Sequence, residues 1–349
     1  MTVTDFVPDT APAGCRPPTA RPAHRVRPSS QRRLLPFLER YALLVLFGAV
    51  FLYFSFVGAS SGTFDTQANL QTILSEKSVL AILALATTIP LVAGQLDLSL
   101  GANLGVSSIV TASAMSRFGI HPLLAAVIGI AVGAGIGLVN GLVVGKLGVN
   151  GFVATLGAST VIAGVVSWYT AGSPISSNIS PALVGTGGGT LWSIPRALLW
   201  LLPVAALVWY LLAYTPFGRS LHAVGSNAQA ARLVGLAVDR ITMWSFVLAG
   251  GLAGLAGVLQ VARSGTGNPQ TGPGFVLPAL AAAFLGATVF RPGRYNPAGT
   301  VLAVFFVAVT VSGLTLSGAD PWVEQVVNGV ALIAAVALSA LLARRRVGA

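Results

Sequence analysis

The chain has 349 residues, 54% of them hydrophobic and only 8% charged, with a formal net charge of +11. A soluble domain carries roughly 25% charged residues, so this composition excludes an ordinary water-soluble fold and indicates a polytopic membrane protein. The basic residues are scattered between apolar runs rather than gathered on one face, which argues against nucleic acid as a partner, and the lone Cys15 excludes an internal disulfide framework.

Residues 1–36 contain seven prolines and many arginines with few apolar side chains. Such a segment cannot bury enough surface to fold, and a disordered cytoplasmic tail is expected. Arg32 and Arg33 precede an apolar run, as in a twin-arginine export signal. Apolar runs keep coming and no small-residue cleavage site follows, so the pair reads as a basic flank of the first span.

A bilayer span takes about 20 residues, and the remaining chain accommodates about ten. The hydropathy pattern predicts helices at approximately 41–59, 70–93, 98–116, 122–144, 152–171, 197–214, 241–262, 278–290, 298–316 and 323–343. The fold class is therefore all-α. With the N-terminus inside, the tail arginines, Lys146, Arg219, Arg232, Arg240, Arg291, Arg294 and Arg344–Arg346 fall on the cytoplasmic side. Only Lys77, Arg117, Arg196 and Arg263 fall outside, which satisfies the positive-inside bias and places both termini in the cytoplasm.

Gly129, Gly133, Gly137, Gly141 and Gly145 recur every fourth residue along the fourth span, and Gly250 and Gly254 begin a second stripe in the seventh. Small residues at this spacing let helix backbones approach closely in lipid. Pro90 and Pro203 interrupt spans, and the backbone groups they free need partners from neighbouring helices or water.

Asp97, in AGQLDLSLGAN, is the carboxylate set directly between two apolar runs; the other eight acidic residues fall in tails, loops or span ends. A carboxylate at the bilayer centre costs roughly 2.5–3.5 kcal/mol, so Asp97 must cap, pair or face water. It stands where it can cap the third span, or touch a solute. Gln95, Ser99, Asn103 and Asn140 add hydrogen-bonding groups suited to a polyhydroxylated solute, and no cation lies mid-span to neutralise an anion.

Residues 215–240, TPFGRSLHAVGSNAQAARLVGLAVDR, form the one long polar stretch in the interior of the chain. Asn227 can cap a short helix, Ala228, Ala230, Ala231 and Leu233 favour it, and Gly235 suits the left-handed residue that ends one. A short basic helix between two spans belongs on the cytoplasmic face, as a docking point for a soluble partner. Catalytic constellations are missing. GLVVGK at Gly141–Lys146 has three residues between its glycines and Leu147 after the lysine, and so lacks the spacing of a phosphate-binding loop. His24, His121 and His222 are dispersed, and no metal site can be assembled from them.

Four patches carry a family resemblance. LVAGQLDLSLG at Leu91–Gly101 resembles the GGxDLSxG signature of the ribose-type permease subunits of bacterial ABC importers. NGLVVGKLGVNGFVATLGA at Asn140–Ala158, the 215–240 segment, and SGTGNPQTGPGFVLPALAAAFLGAT at Ser264–Thr288 resemble three further segments of that family. The resemblance covers about residues 65–343 and implies a permease domain over 37–346 in the bacterial inner membrane. It implies cytoplasmic ABC ATPase subunits that hydrolyse the ATP, a second permease copy, and an extracytoplasmic solute-binding protein. No cofactor is implied for this chain. Carried over by position, Gly225, Asn227, Ala230, Ala231 and Gly235 would form the ATPase-docking element, and Asp97 and Ser99 belong to the membrane signature. Gln95 replaces the signature's second glycine, and Val276 and Pro278 replace two acidic residues of the fourth segment. The implied cargo widens accordingly from ribose to another monosaccharide or small polar solute. The alternatives are a branched-chain amino-acid permease, an ion-coupled secondary transporter, for which Asp97 is the one coupling group available, and a structural or scaffolding membrane protein.

Overall fold

The computed structural model of the chain describes residues 31–57, 60 and 62–347, with side chains described within 41–337. Residues 1–30 of the expected tail, Cys15 among them, and the side chains of Arg344–Arg346 lie outside the described residues. Among the described residues the elements are α1 (Gln31–Phe56), α2 (Gln67–Val92), α3 (Leu100–Ser116), α4 (Pro122–Gly145), α5 (Gly151–Thr170), α6 (Pro181–Gly187), β1 (Thr190–Leu191), β2 (Ile194–Pro195), α7 (Arg196–Tyr214), α8 (Pro216–Ser226), α9 (Ala228–Leu233), α10 (Val238–Ser264), α11 (Thr271–Gly286), α12 (Pro297–Leu316) and α13 (Trp322–Val347).

A helix stands at each of the ten predicted positions. Six of them, α2, α4, α5, α7, α10 and α12, are long and apolar enough to cross a membrane, and α1, α11 and α13 contain shorter apolar stretches. Two helix starts differ from expectation by seven residues or more. Helix α1 begins at Gln31, so 31–36 are helical rather than part of the tail. Helix α11 begins at Thr271, seven residues before the predicted start, and runs through Pro278. A proline reads in sequence as the first residue of a helix, but in a membrane bundle neighbouring groups can satisfy the carbonyl it frees. Helices α6 and α8 and the hairpin are additional to the expected spans.

Helix α3 is buried along most of its length, and of the six long apolar helices α2 and α10 are the most enclosed, while α4, α5 and α7 keep outward faces. Those faces carry Leu124, Val139, Phe152, Val161, Trp168 and Leu202, apolar groups suited to hydrocarbon or to a further apolar helix. The glycine stripes of α4 and α10 pack against each other, as their spacing predicts. A methyl group on Gly133 would lie 2.8 Å from the Gly254 Cα, and one on Gly141 would lie 2.7 Å from the Met243 carbonyl oxygen. One on Gly250 would lie 3.0 Å from the Gly137 Cα. Backbone meets backbone along this seam, and larger side chains are excluded from it.

At one end of the bundle α8 and α9 lie between α7 and α10. At the other, α6 and the β1–β2 hairpin fold over the helix ends: Gly187 packs on Ala262, the Gln71 side chain donates to the Ser193 carbonyl at 2.9 Å, and Ile175 bridges to Gly267.

Candidate functional site

The polar segment is two helices rather than one. Thr215 organises its entry: the hydroxyl donates to the Leu211 carbonyl at 2.6 Å and accepts from the Gly218 amide at 3.0 Å, tying the end of α7 to the start of α8. Pro216 follows at the first helical position, where its missing N–H costs nothing. Leu221 and Val224 turn the buried face of α8 inward. Gly225 then seats the helix against the end of α2: a methyl there would lie 3.2 Å from the Ala93 carbonyl carbon and closer still to the Val92 carbonyl.

Asn227 caps α9, as its position predicts, accepting the Ala230 amide on Oδ1 at 2.9 Å. Ala231 is buried, whereas Ala230 is exposed. Gly235 has φ +84° and closes the segment, its neighbour Leu236 donating back to the Ala231 carbonyl at 3.0 Å. An exposed Arg232–Asp239 pair at 2.6 Å spans the turn, and exposed pairs of this kind contribute little stability. The feature that sequence reading missed is the tip. Leu233 and Val234 are 89% and 78% exposed at the end of α9, an apolar projection on a polar element. Leu233 reads in sequence as a helix-favouring residue, and nothing in the pattern shows which way it faces.

His222, on α8, faces the loop between α11 and α12. Burial, with the positive charges of Arg294 and Arg291 adding to it, holds its imidazole below the ordinary value. In the same loop burial pushes the Tyr295 phenol up to about 12. Phe290, Arg291, Arg294 and Tyr295 line a cleft of about 160 Å³ with Trp209 and His222.

The turn 93–99 and the first turn of α3 are where the four patches that carry the resemblance meet. A methyl on Gly94 would sit 3.5 Å from the Gly225 Cα. One on Gly151 would meet the Gln95 Oε1 at 2.8 Å. The Leu98 amide donates to the Thr155 hydroxyl at 3.0 Å, and the Asn140 side chain donates to the Ser99 hydroxyl at 2.8 Å. Val276 and the Gly272 backbone close over Gly101. Segments as far apart in sequence as Gly101 and Val276 thus meet at one place.

Asp97 is 2% exposed. Its Oδ1 accepts both the Ser99 amide at 2.9 Å and the Ser99 hydroxyl at 2.6 Å, while Oδ2 has no hydrogen-bond partner among the described residues. The cap expected of it takes a different form: Ser99 is the residue at the start of α3, and Asp97 holds that residue rather than the amides of the first turn. Asp97, Ser99 and Asn140 form one network. Asn103 is apart from it, its amide donating to the Gly133 carbonyl at 3.0 Å, beside the glycine seam. Gln95 is half-buried against Gly151.

The opposite end of the bundle gathers charges that the sequence disperses. Lys77 pairs with Glu324 at 3.0 Å and Arg263 with Glu76 at 3.5 Å. Together with Gln260, Phe275 and Asn328 they line a cleft of about 200 Å³. Glu76 and Lys77 sit nearly three turns inside α2, within a predicted span, and that placement is the signal by which they could have been found. No group of His, Cys, Asp and Glu that could hold a metal occurs among the described residues.

The family described as branched-chain amino acid transport system / permease component matches residues 69–336. Over 292 residues the chain is 34% identical to the ribose import permease protein RbsC of Escherichia coli (strain K12), covering 82% of this chain and 90% of that one. It is 30% identical over 309 residues to the D-allose transport system permease protein AlsC of the same strain, covering 88% and 94%. It is also 32% identical over 308 residues to the probable ABC transporter permease protein YphD of that strain, covering 88% and 91%. No solved structure matches the chain.

Proposed function

This chain belongs to the branched-chain amino acid transport system / permease component family, and on that premise we propose that it is the membrane permease subunit of an ATP-binding-cassette importer. The solute it moves into the cytoplasm is a monosaccharide or a similar small polar molecule, and the mechanism is alternating access. The family description names amino acids, but the similar chains named for ribose and allose match over most of their length, which favours a sugar.

The observation that carries the reading is the α8–α9 element. Its inner face is fixed to the end of α2 through Gly225, and its outer tip presents Leu233 and Val234. A separate ATPase subunit seated on that tip would move α2 and the turn 93–99 together. Gly225, Asn227, Ala230, Ala231 and Gly235 are assigned to this docking element. ATP is bound and hydrolysed by the partner, and no cofactor is assigned to this chain. Ten spans are proposed from the hydropathy pattern, and the bias of basic residues supports placing both termini inside. A second copy of the chain completes the path, supported by α5, whose face around Gly157 and Gly164 is uncovered. Asn103 and Asn140 tie α3 and its leading turn to α4, and Asp97 fixes Ser99 within that turn, so the four residues position the helices that border the path.

Reconstitution tests this. Proteoliposomes containing the permease, its ATPase subunits and its solute-binding protein should take up D-ribose or D-allose only with ATP, and should not take up L-leucine. Uptake by the permease alone, driven by an ion gradient, would replace the importer reading with a secondary transporter.

A further inference from the structure

The cleft among α2, α10, α11, α12 and α13, at the end of the bundle away from the docking element, is lined by four charged side chains. Its charges balance: Lys77 and Arg263 against Glu76 and Glu324. A balanced set gives an ion no net attraction, yet offers donors and acceptors side by side, the arrangement that vicinal hydroxyls match. Charge-assisted hydrogen bonds of this kind are the strong ones. Phe275 adds an apolar surface on one wall, suited to the C–H face of a sugar ring.

The floor is unfinished. Gln260 is 8% exposed, and its Oε1 has no hydrogen-bond partner among the described residues; nor has the Nε of Arg263 beside it. A buried polar atom without a partner is destabilising, and a bound hydroxyl supplies what is missing. The cleft, about 200 Å³, is several times the share of liquid volume that one water takes, about 30 Å³. The half-exposed carboxylates of Glu76 and Glu324 stand at the mouth and Gln260 at the base.

We infer that this cleft binds a neutral polyhydroxylated solute of monosaccharide size, held by Glu76, Lys77, Gln260, Arg263 and Glu324 over Phe275, as a site at which the solute enters the permease. The inference rests on the importer reading for the direction of travel, and on the cleft alone for binding.

Two measurements separate these. In a Cys15→Ser background, Asn328→Cys in the purified, lipid-reconstituted permease is labelled with a maleimide in the presence of millimolar D-ribose, D-allose or L-leucine. Slower labelling with either sugar and not with leucine is expected. Protection by none of the three, or by leucine alone, overturns the inference. In the complete transporter, Gln260→Leu and Glu324→Gln are expected to raise the apparent KM for the transported sugar about tenfold, with the larger part of the loss in KM rather than in kcat. A purely structural role would lower the melting temperature and the yield of assembled complex and leave KM in place, and that result too overturns it. If the wild-type transporter fails to take up sugar with ATP while the labelling shows protection, the importer reading falls and the cleft stands.

Discussion

Gly225 lies against the carbonyl of Val92, so that the end of α8 and the end of α2 share a contact with no room for a side chain. Gly225→Val should therefore displace α8 from α2. Overpacking a tight contact costs typically about 1–3 kcal/mol. The variant is expected to insert and to retain its helix content by circular dichroism, while ATP hydrolysis by the assembled complex no longer responds to the loaded binding protein. A normal response would remove this contact from the coupling route.

The tip of α9 makes a separate prediction. Leu233→Asp touches nothing inside the permease, because Leu233 is 89% exposed, and its melting temperature should stay within about 1–2 °C of wild type, as for surface changes in general. Pull-down of the ATPase subunit is expected to fall at least tenfold. Asn227→Ala, by contrast, removes the cap of α9 and should cost about 1 kcal/mol locally, which hydrogen exchange of the α9 amides would detect.

The glycine seam supplies an internal control. Gly135 and Gly137 lie on one helix, but a methyl on Gly135 meets nothing within 4 Å, whereas one on Gly137 would lie 2.9 Å from the Phe246 carbonyl carbon. Gly137→Ala should lower thermal stability in detergent, by the roughly 1–3 kcal/mol of an overpacked contact, and Gly135→Ala should not. Equal effects would mean that α4 and α10 do not meet along this face.

Asp97 is expected to tolerate Asn and not Ala. Asparagine keeps an oxygen where Oδ1 accepts from Ser99 twice, and alanine leaves the buried Ser99 donors unpaired, at about 1–3 kcal/mol each. ATP-driven uptake by Asp97→Asn near the wild-type rate, and loss of folded protein for Asp97→Ala, is the expected pair of results.

His222 gives the pH dependence. Its folded-state value is held below the ordinary 6.5, so the unfolded chain takes up the proton first as pH falls. Its contribution to stability is complete above that ordinary value and declines as pH drops below it. The melting temperature of the wild-type protein should fall between about pH 7 and pH 5 by more than that of His222→Gln. Arg291→Gln with Arg294→Gln should recover part of the difference and not all, since burial is the larger cause.

The long helices were legible in the sequence because runs of apolar residues have no other stable form in a bilayer. So were Asn227 as a cap and Gly235 as a terminator, whose roles depend only on their immediate neighbours. Helix α8 was not legible, because Gly218 and Gly225 lower its helical propensity and are there for contacts made with Leu212 and Val92. The start of α11 was hidden behind Pro278. The meeting of Gly94, Ser99 and Gly101 with Gly225, Asn140 and Gly272, and the pairing of Lys77 with Glu324, 247 positions away, are tertiary facts that no local pattern records.

Helix α2 runs from Gln67 to Val92 and continues through Pro90, which was expected to interrupt it. Near its beginning it carries Glu76 and Lys77 into the charge-balanced cleft, and its last residue abuts Gly225. From Lys77 to Val92 is about 22 Å at 1.5 Å per residue. One helix therefore joins the cleft to the contact at Gly225, and on the proposed docking at α9 a shift of α8 would reach the cleft along this single element, past the proline at position 90.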